Sequence, residues 1–118
     1  MTIALVTDST ADIPGTIAED LAIKVIPALL HVGHKTLLDG QDITRERFYD
    51  ILPSLTPYPT TAVATVGSFA EAYQHALSGA EHVVSVHLSS KLSAVLANAR
   101  LAAHELDHRR STSLTLAC

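Results

Sequence analysis

Three short apolar runs, each rich in β-branched residues and each followed by a segment with helical spacing, constrain this chain more than any other feature. Ile3 to Thr7 stops at the polar cluster Asp8-Ser9-Thr10, Ile23 to Val32 carries Ile23, Val25 and Ile26, and His82 to Leu88 contains Val83-Val84-Ser85-Val86. The first, an unbroken apolar run ending in a polar loop, has the pattern of a strand buried on both faces, and the other two read as further strand regions. After the first run, Asp12 reads as a helix cap with Pro14 in the first turn and Ile13, Ile17 and Leu21 along one face. Before the third, Gly67-Ser68-Phe69-Ala70-Glu71 holds a capping box, Ser68 with Glu71, opening a helix that buries Phe69, Ala72, Tyr73, Ala76 and Leu77 and closes at Gly79. After it, Leu92 to Asp107 places Leu92, Leu96, Ala99, Ala103 and Leu106 on one stripe. The alternation predicts an α/β fold, a mostly parallel sheet flanked by helices on both faces and joined by right-handed crossovers.

Between the second and third runs the pattern changes. Pro27 suggests an edge or a bulge, and Gly33-His34 can turn the second run into a hairpin with Lys35 to Leu38. Asp39-Gly40 signals a turn, and Thr44 caps a short helix with Phe48, Ile51 and Leu52 along one face. Pro53, Pro57 and Pro59 then lead into a threonine-rich loop, Thr60 to Thr65. Residues 1–110 read as one α/β domain, with 111–118 as a short tail that is either a last strand or a truncated continuation.

Composition limits the partners. With 47% hydrophobic and 17% charged residues, the chain is too apolar for a disordered tail. Its formal charge of −4, with cations scattered singly except at Arg109-Arg110, leaves no basic stripe for nucleic acid. The sole cysteine is Cys118, and the N-terminus lacks both a basic n-region and an apolar run long enough for a signal or a membrane span, so the sequence reads as cytoplasmic, without membrane insertion.

Ligands of open α/β sheets bind beyond the carboxyl ends of the strands. Three hydroxyl-rich segments are expected at or near such ends: Asp8-Ser9-Thr10, Thr60-Thr61, and Ser89-Ser90 with Ser93. Hydroxyls beside helix N-termini suit a carboxylate or a phosphate. His104-Glu105-Leu106-Asp107-His108 fits the helical zinc pattern H-E-x-x-H, but a third ligand is needed, and only Cys118 follows as a candidate. His31 and His34 read as hairpin residues, His75, His82 and His87 as surface or strand positions, and Asp12 as a cap rather than a partner of Asp8 in acid–base chemistry. No nucleophile elbow, phosphate-binding glycine loop or dinucleotide fingerprint is present, so no catalytic residue, metal or cofactor is assigned.

Val6-Thr7-Asp8-Ser9-Thr10-Ala11-Asp12-Ile13-Pro14 resembles the opening signature of the DegV family, the fatty-acid-binding subunits of bacterial fatty acid kinase. The similarity continues through Pro27, Leu38-Asp39-Gly40, Phe48-Tyr49, Thr61, Gly67-Ser68-Phe69, Tyr73 and Ser89-Ser90-Lys91-Leu92-Ser93 to Ala99. The resemblance implies the N-terminal part of a two-domain protein, with the second domain absent. Hydroxyls of Thr61 and Ser93, supported by Ser9, Thr60 and Ser90, would hold the carboxylate of a long-chain fatty acid that a separate kinase subunit phosphorylates. The sequence departs from the family at two points. Ala62-Val63-Ala64 follows Thr61 where the family has Ser-Gln-Pro, and Ala94-Val95 follows Ser93 where it has Gly-Thr, which removes hydroxyls and a close-approach glycine. The departures and the surplus apolar surface leave a second reading, a non-binding scaffold domain that pairs with itself, and the zinc pattern leaves a remote third, a zinc hydrolase.

Overall fold

The computed structural model describes residues 2–87, 94–109 and 114–117. It divides into two units, one formed by residues 1–26 and 64–118, the other by Pro27–Val63.

In the first unit the run that opens the chain forms an interior strand, β1 (Ile3–Asp8), paired on both edges. It lies between β2 (Ile23–Ile26) and β6 (His82–Val86), and β7 (Leu114–Ala117) completes a four-stranded sheet of order β2-β1-β6-β7 in which every pair is parallel. Residues 114–117 are therefore a strand. The register sets Leu5 beside Ile23 and Val84, and Val6 beside Lys24 and Ser85. Period-two alternation then sorts the strands into faces. Val6, Asp8, Ile26, Val83, Ser85 and His87 share the buried face, and Ile3, Leu5, Thr7, Ile23, Val25, His82, Val84 and Val86 share the other.

Two helices, α3 (Val66–Gly79) and α4 (Val95–Arg109), pack against each other and on the sheet. Phe69, Ala72 and Tyr73 of α3 are buried as the sequence predicts, as are Leu96, Ala99, Ala103 and Leu106 of α4, where Val95 and Ala102 join them. Asn98 Nδ2 donates to the Ala64 carbonyl at 2.9 Å and ties α4 to the segment entering α3. The cap of α3 is not Ser68 but Thr65, whose Oγ1 accepts from the Ser68 N–H at 3.1 Å. Ser68 stands at the third helical position instead, because Thr65 keeps extended backbone, φ −73° and ψ 159°, and its hydroxyl reaches the free amides first.

The helix after β1 also differs from expectation. Asp12 does not cap it. It sits at φ 56° and ends a short 3-10 turn, Ser9–Ala11, by donating its N–H to the Ser9 carbonyl at 3.2 Å. The helix α1 is only Gly15–Asp20, with Pro14 at its cap, and Ala18 is its one buried residue. Ile17 and Leu21 remain 46% and 62% exposed, since six residues are too few to carry the expected stripe and Leu21 lies past the end.

In the second unit, the run Ile23 to Val32 does not continue as one strand. Pro27 cannot donate to a ladder, so β2 stops at Ile26 and β3 (Leu29–Val32) enters a separate antiparallel sheet of order β4-β3-β5. The predicted hairpin is present. β4 (Lys35–Leu38) pairs with β3 through Val32 opposite Lys35, and Gly33 supplies φ 62° at the first turn position. The helix α2 (Arg45–Ile51) begins at Thr44, whose hydroxyl accepts from the Arg47 N–H at 3.1 Å. Instead of a loop throughout, the threonine-rich segment supplies β5 (Thr60–Ala62), which pairs with the free edge of β3. β-branched threonines fit such an edge. Leu30 and Ile43 are the buried apolar residues of this unit.

Candidate functional site

The carboxyl ends of β1 and β6 carry the densest polar arrangement among the described residues. Asp8, the last residue of β1, is 2% exposed. One carboxylate oxygen accepts from the Thr10 N–H at 3.0 Å and from the Thr10 hydroxyl, which fixes the 3-10 turn. The other meets His87 Nδ1 at 2.5 Å. His87 Nε2 lies 2.5 Å from Ser85 Oγ, and Ser85 Oγ lies 2.7 Å from the Tyr73 hydroxyl on α3. Phe69 meets the imidazole edge-on, ring centres 5.3 Å apart, and the Thr7 hydroxyl donates to the Val86 carbonyl at 2.8 Å.

Proton counting gives this line one direction. Burial pushes the Asp8 carboxyl up, but the hydrogen bonds from His87 and Thr10 outweigh it and hold the group below the usual carboxylate value, so Asp8 is ionised. Burial pushes the Tyr73 phenol up to about 12, the Ser85 hydrogen bond offsets part of that rise, and the Asp8 charge adds to it. Tyr73 therefore donates to Ser85, Ser85 donates to His87 Nε2, and His87 Nδ1–H donates to Asp8. Each buried side-chain nitrogen and oxygen among the described residues has a partner.

Ser85, His87 and Asp8 have the connectivity of a nucleophilic triad. Unlike an accessible nucleophile, Ser85 is 0% exposed, with its oxygen between His87 and Tyr73. The line works as a polar lock joining β1, β6 and α3.

Of the sequence-predicted residues, Ser9 belongs to the first unit and Thr60 and Thr61 to the second. Ser9 is half-buried in the turn directly after β1, where a sheet ligand is expected. Thr60 and Thr61 are exposed on β5, an edge strand of the antiparallel sheet and not the end of a parallel strand. Ser90 and Ser93 lie outside the described residues, as do the His108 side chain and Cys118 of the zinc pattern. Among the described residues no three His, Cys, Asp or Glu side chains converge to hold a metal ion. His87, read from the sequence as a surface or strand position, directly follows β6 and is buried, at 6% exposure. Period-two parity was the signal for it, since Ser85 and His87 share the buried face with Val83.

A profile of the DegV family, described as an uncharacterised protein family, matches residues 2–114. The chain belongs to the DegV family. A DegV domain-containing protein of Caldanaerobacter subterraneus subsp. tengcongensis is 34% identical over 108 residues, covering 92% of this chain and 38% of that relative. One from Mycobacterium bovis is 39% identical over 109 residues, covering 90% of this chain and 36% of the relative. Among solved structures, a fatty-acid-binding DegV family protein from Thermus thermophilus superposes with a TM-score of 0.83 at 34% identity, over 98% of this chain and 40% of its own. DegV of Bacillus subtilis, described as a fatty acid binding protein, gives a TM-score of 0.84 at 27% identity, over 98% and 39%. The chain thus spans about two-fifths of these DegV proteins. No helix among its described residues is long and apolar enough to cross a membrane.

Proposed function

We propose that this DegV chain contributes the head-group part of a long-chain fatty-acid site, with Thr61 and Ser93 as carboxylate donors and Ser9, Thr60 and Ser90 as further ligand-binding hydroxyls. The observation that carries the reading is its likeness to the fatty-acid-binding Thermus thermophilus protein, at 34% identity over 98% of the chain. Local chemistry agrees. Thr60 and Thr61 are exposed and neutral, so their hydroxyls can donate to a carboxylate without adding charge. The acyl carboxylate would be presented to a separate kinase subunit, and the chain itself would perform no chemistry.

Organic extraction of the purified protein followed by mass spectrometry should recover a fatty acid, and delipidated protein should take up oleate or palmitate. Thr61→Val and Ser93→Ala should each weaken uptake about tenfold, the worth of one hydrogen bond to a charged group. Neither recovered lipid nor uptake would defeat the reading. Phosphorylation of the bound acid by a fatty acid kinase and ATP tests the presentation step separately.

A further inference from the structure

The line from Tyr73 to Asp8 holds one hydrogen for each of its gaps. Three gaps separate Tyr73, Ser85, His87 and Asp8, and with Asp8 ionised the phenol, the serine hydroxyl and the neutral imidazole supply three hydrogens. A fourth has no gap to fill. On mild acidification it enters at His87 Nε2, because imidazole is a stronger base than a carboxylate and the hydrogen bonds on Asp8 hold that group below even the ordinary carboxylate value. Nε2 then donates to Ser85 instead of accepting from it. Whichever way Ser85 and Tyr73 turn, one of the two hydroxyls is left with a hydrogen that meets no acceptor among the described residues. Water does not reach it in the packed fold, since Ser85, Tyr73 and the His87 side chain are each 0% exposed.

We infer that this line is a pH-sensitive switch, in which uptake of one proton at His87 loosens α3 from the parallel sheet. An unpaired buried hydroxyl is costly, and outward movement of α3 gives it water. The helix is the part that yields. It carries Tyr73, whereas Asp8 and Ser85 stand on β1 and β6, each laddered to a neighbour on both edges. From β1 the group facing His87 is Asp8, and from α3 they are Phe69 and, through Ser85, Tyr73. On the other packed elements and the rest of α3, Lys24, Glu71, His75, Arg100, His104 and Glu105 are exposed and none is bonded to His87. His82, at the far end of β6, is bonded to Thr115. Thr61, Ser93 and the other hydroxyls proposed for the fatty acid take no part in the line.

Hydrogen exchange of the α3 amides in the 118-residue chain, measured by NMR from about pH 8 to about pH 5 with the intrinsic rates divided out, reads the switch, while the His87 ring resonances report the proton. In the wild type, α3 protection should fall about tenfold as His87 takes up its proton, the effect of one unpaired hydroxyl. His87→Gln offers an amide N–H to Asp8 and a carbonyl to Ser85 and does not titrate, so its α3 protection should stay level. Asp8→Asn carries a surplus hydrogen at every pH, and its α3 protection should be low throughout. The first two chains decide the outcome even where Asp8→Asn does not fold. A His87 ring that stays neutral down to about pH 5, wild-type protection that stays level while the ring titrates, or a fall of the same size in His87→Gln would each overturn the switch.

Discussion

His87 satisfies a carboxylate and a hydroxyl that would otherwise be buried without partners, so its removal should cost more than its packing. Replacing it with Leu leaves the ionised Asp8 with Thr10 alone and deprives Ser85 of its acceptor. Loss of one member of such a buried charged set costs about 3–5 kcal/mol, and urea unfolding of His87→Leu should show a fall of that order. The flanking groups set the pH window. Asp8 has a folded pKa below its unfolded value, so its contribution is complete above about pH 4 and is lost as the pH falls through the folded value. Tyr73 is the opposite case, an acid whose folded pKa is raised to about 12. Its contribution is complete below about pH 10 and is lost as the pH rises from there toward the folded value, roughly 2–3 kcal/mol in all. Denaturation midpoints between pH 9 and 12 should therefore fall for the wild type and flatten for Tyr73→Phe, in roughly that range; equal slopes would remove Tyr73 from the titration. At this scale the sequence announced hydroxyls and hid the lock. Ser9 and Thr61 stand in motifs that can be read locally, whereas Asp8, Tyr73, Ser85 and His87 become neighbours only through a separation of 79 residues between Asp8 and His87.

Element boundaries follow competition for the first free amides of each helix, and α3 is the clearest instance. Both Thr65 and Ser68 can cap, and the Ser68-Glu71 spacing favours Ser68 on pattern alone. In the fold the Thr65 hydroxyl accepts from the Ser68 amide, so the helix gains a turn at its start. Thr65→Ala should therefore destabilise the protein by about 1 kcal/mol, while Ser68→Ala should change stability by no more than about 0.5 kcal/mol. The reverse order in thermal melts would return the cap to Ser68. The parallel strands, α2 and the buried stripes of α3 and α4 were readable because each rests on local periodicity. The division at Pro27 into two sheets and the strand at Thr60–Ala62 were not, because a strand's choice of partner depends on which edge lies open, and β3 opens one only after Pro27 has turned the chain out of the parallel sheet.

Stability is unequally shared over the whole molecule. In Pro27–Val63 the buried apolar side chains are Leu30 and Ile43, whereas the other unit buries Phe69, Tyr73, Val83, Val95, Leu96 and Leu106 among others. Opening free energy follows buried apolar contact, so amides of β3, β4 and β5 should exchange with solvent through local opening, well before those of β1 and β6. The proposed ligand changes that order in a way that a bystander would not. If Thr61 on β5 holds the carboxylate, opening of its sheet releases the ligand, and a saturating fatty acid at about a hundredfold above Kd should slow β3 and β5 exchange by up to about a hundredfold, or 2.7 kcal/mol. Thr61→Val should abolish that added protection without changing exchange in the lipid-free protein. Protection confined to β1 and β6 would place the carboxylate on the parallel sheet alone and remove β5 from the site.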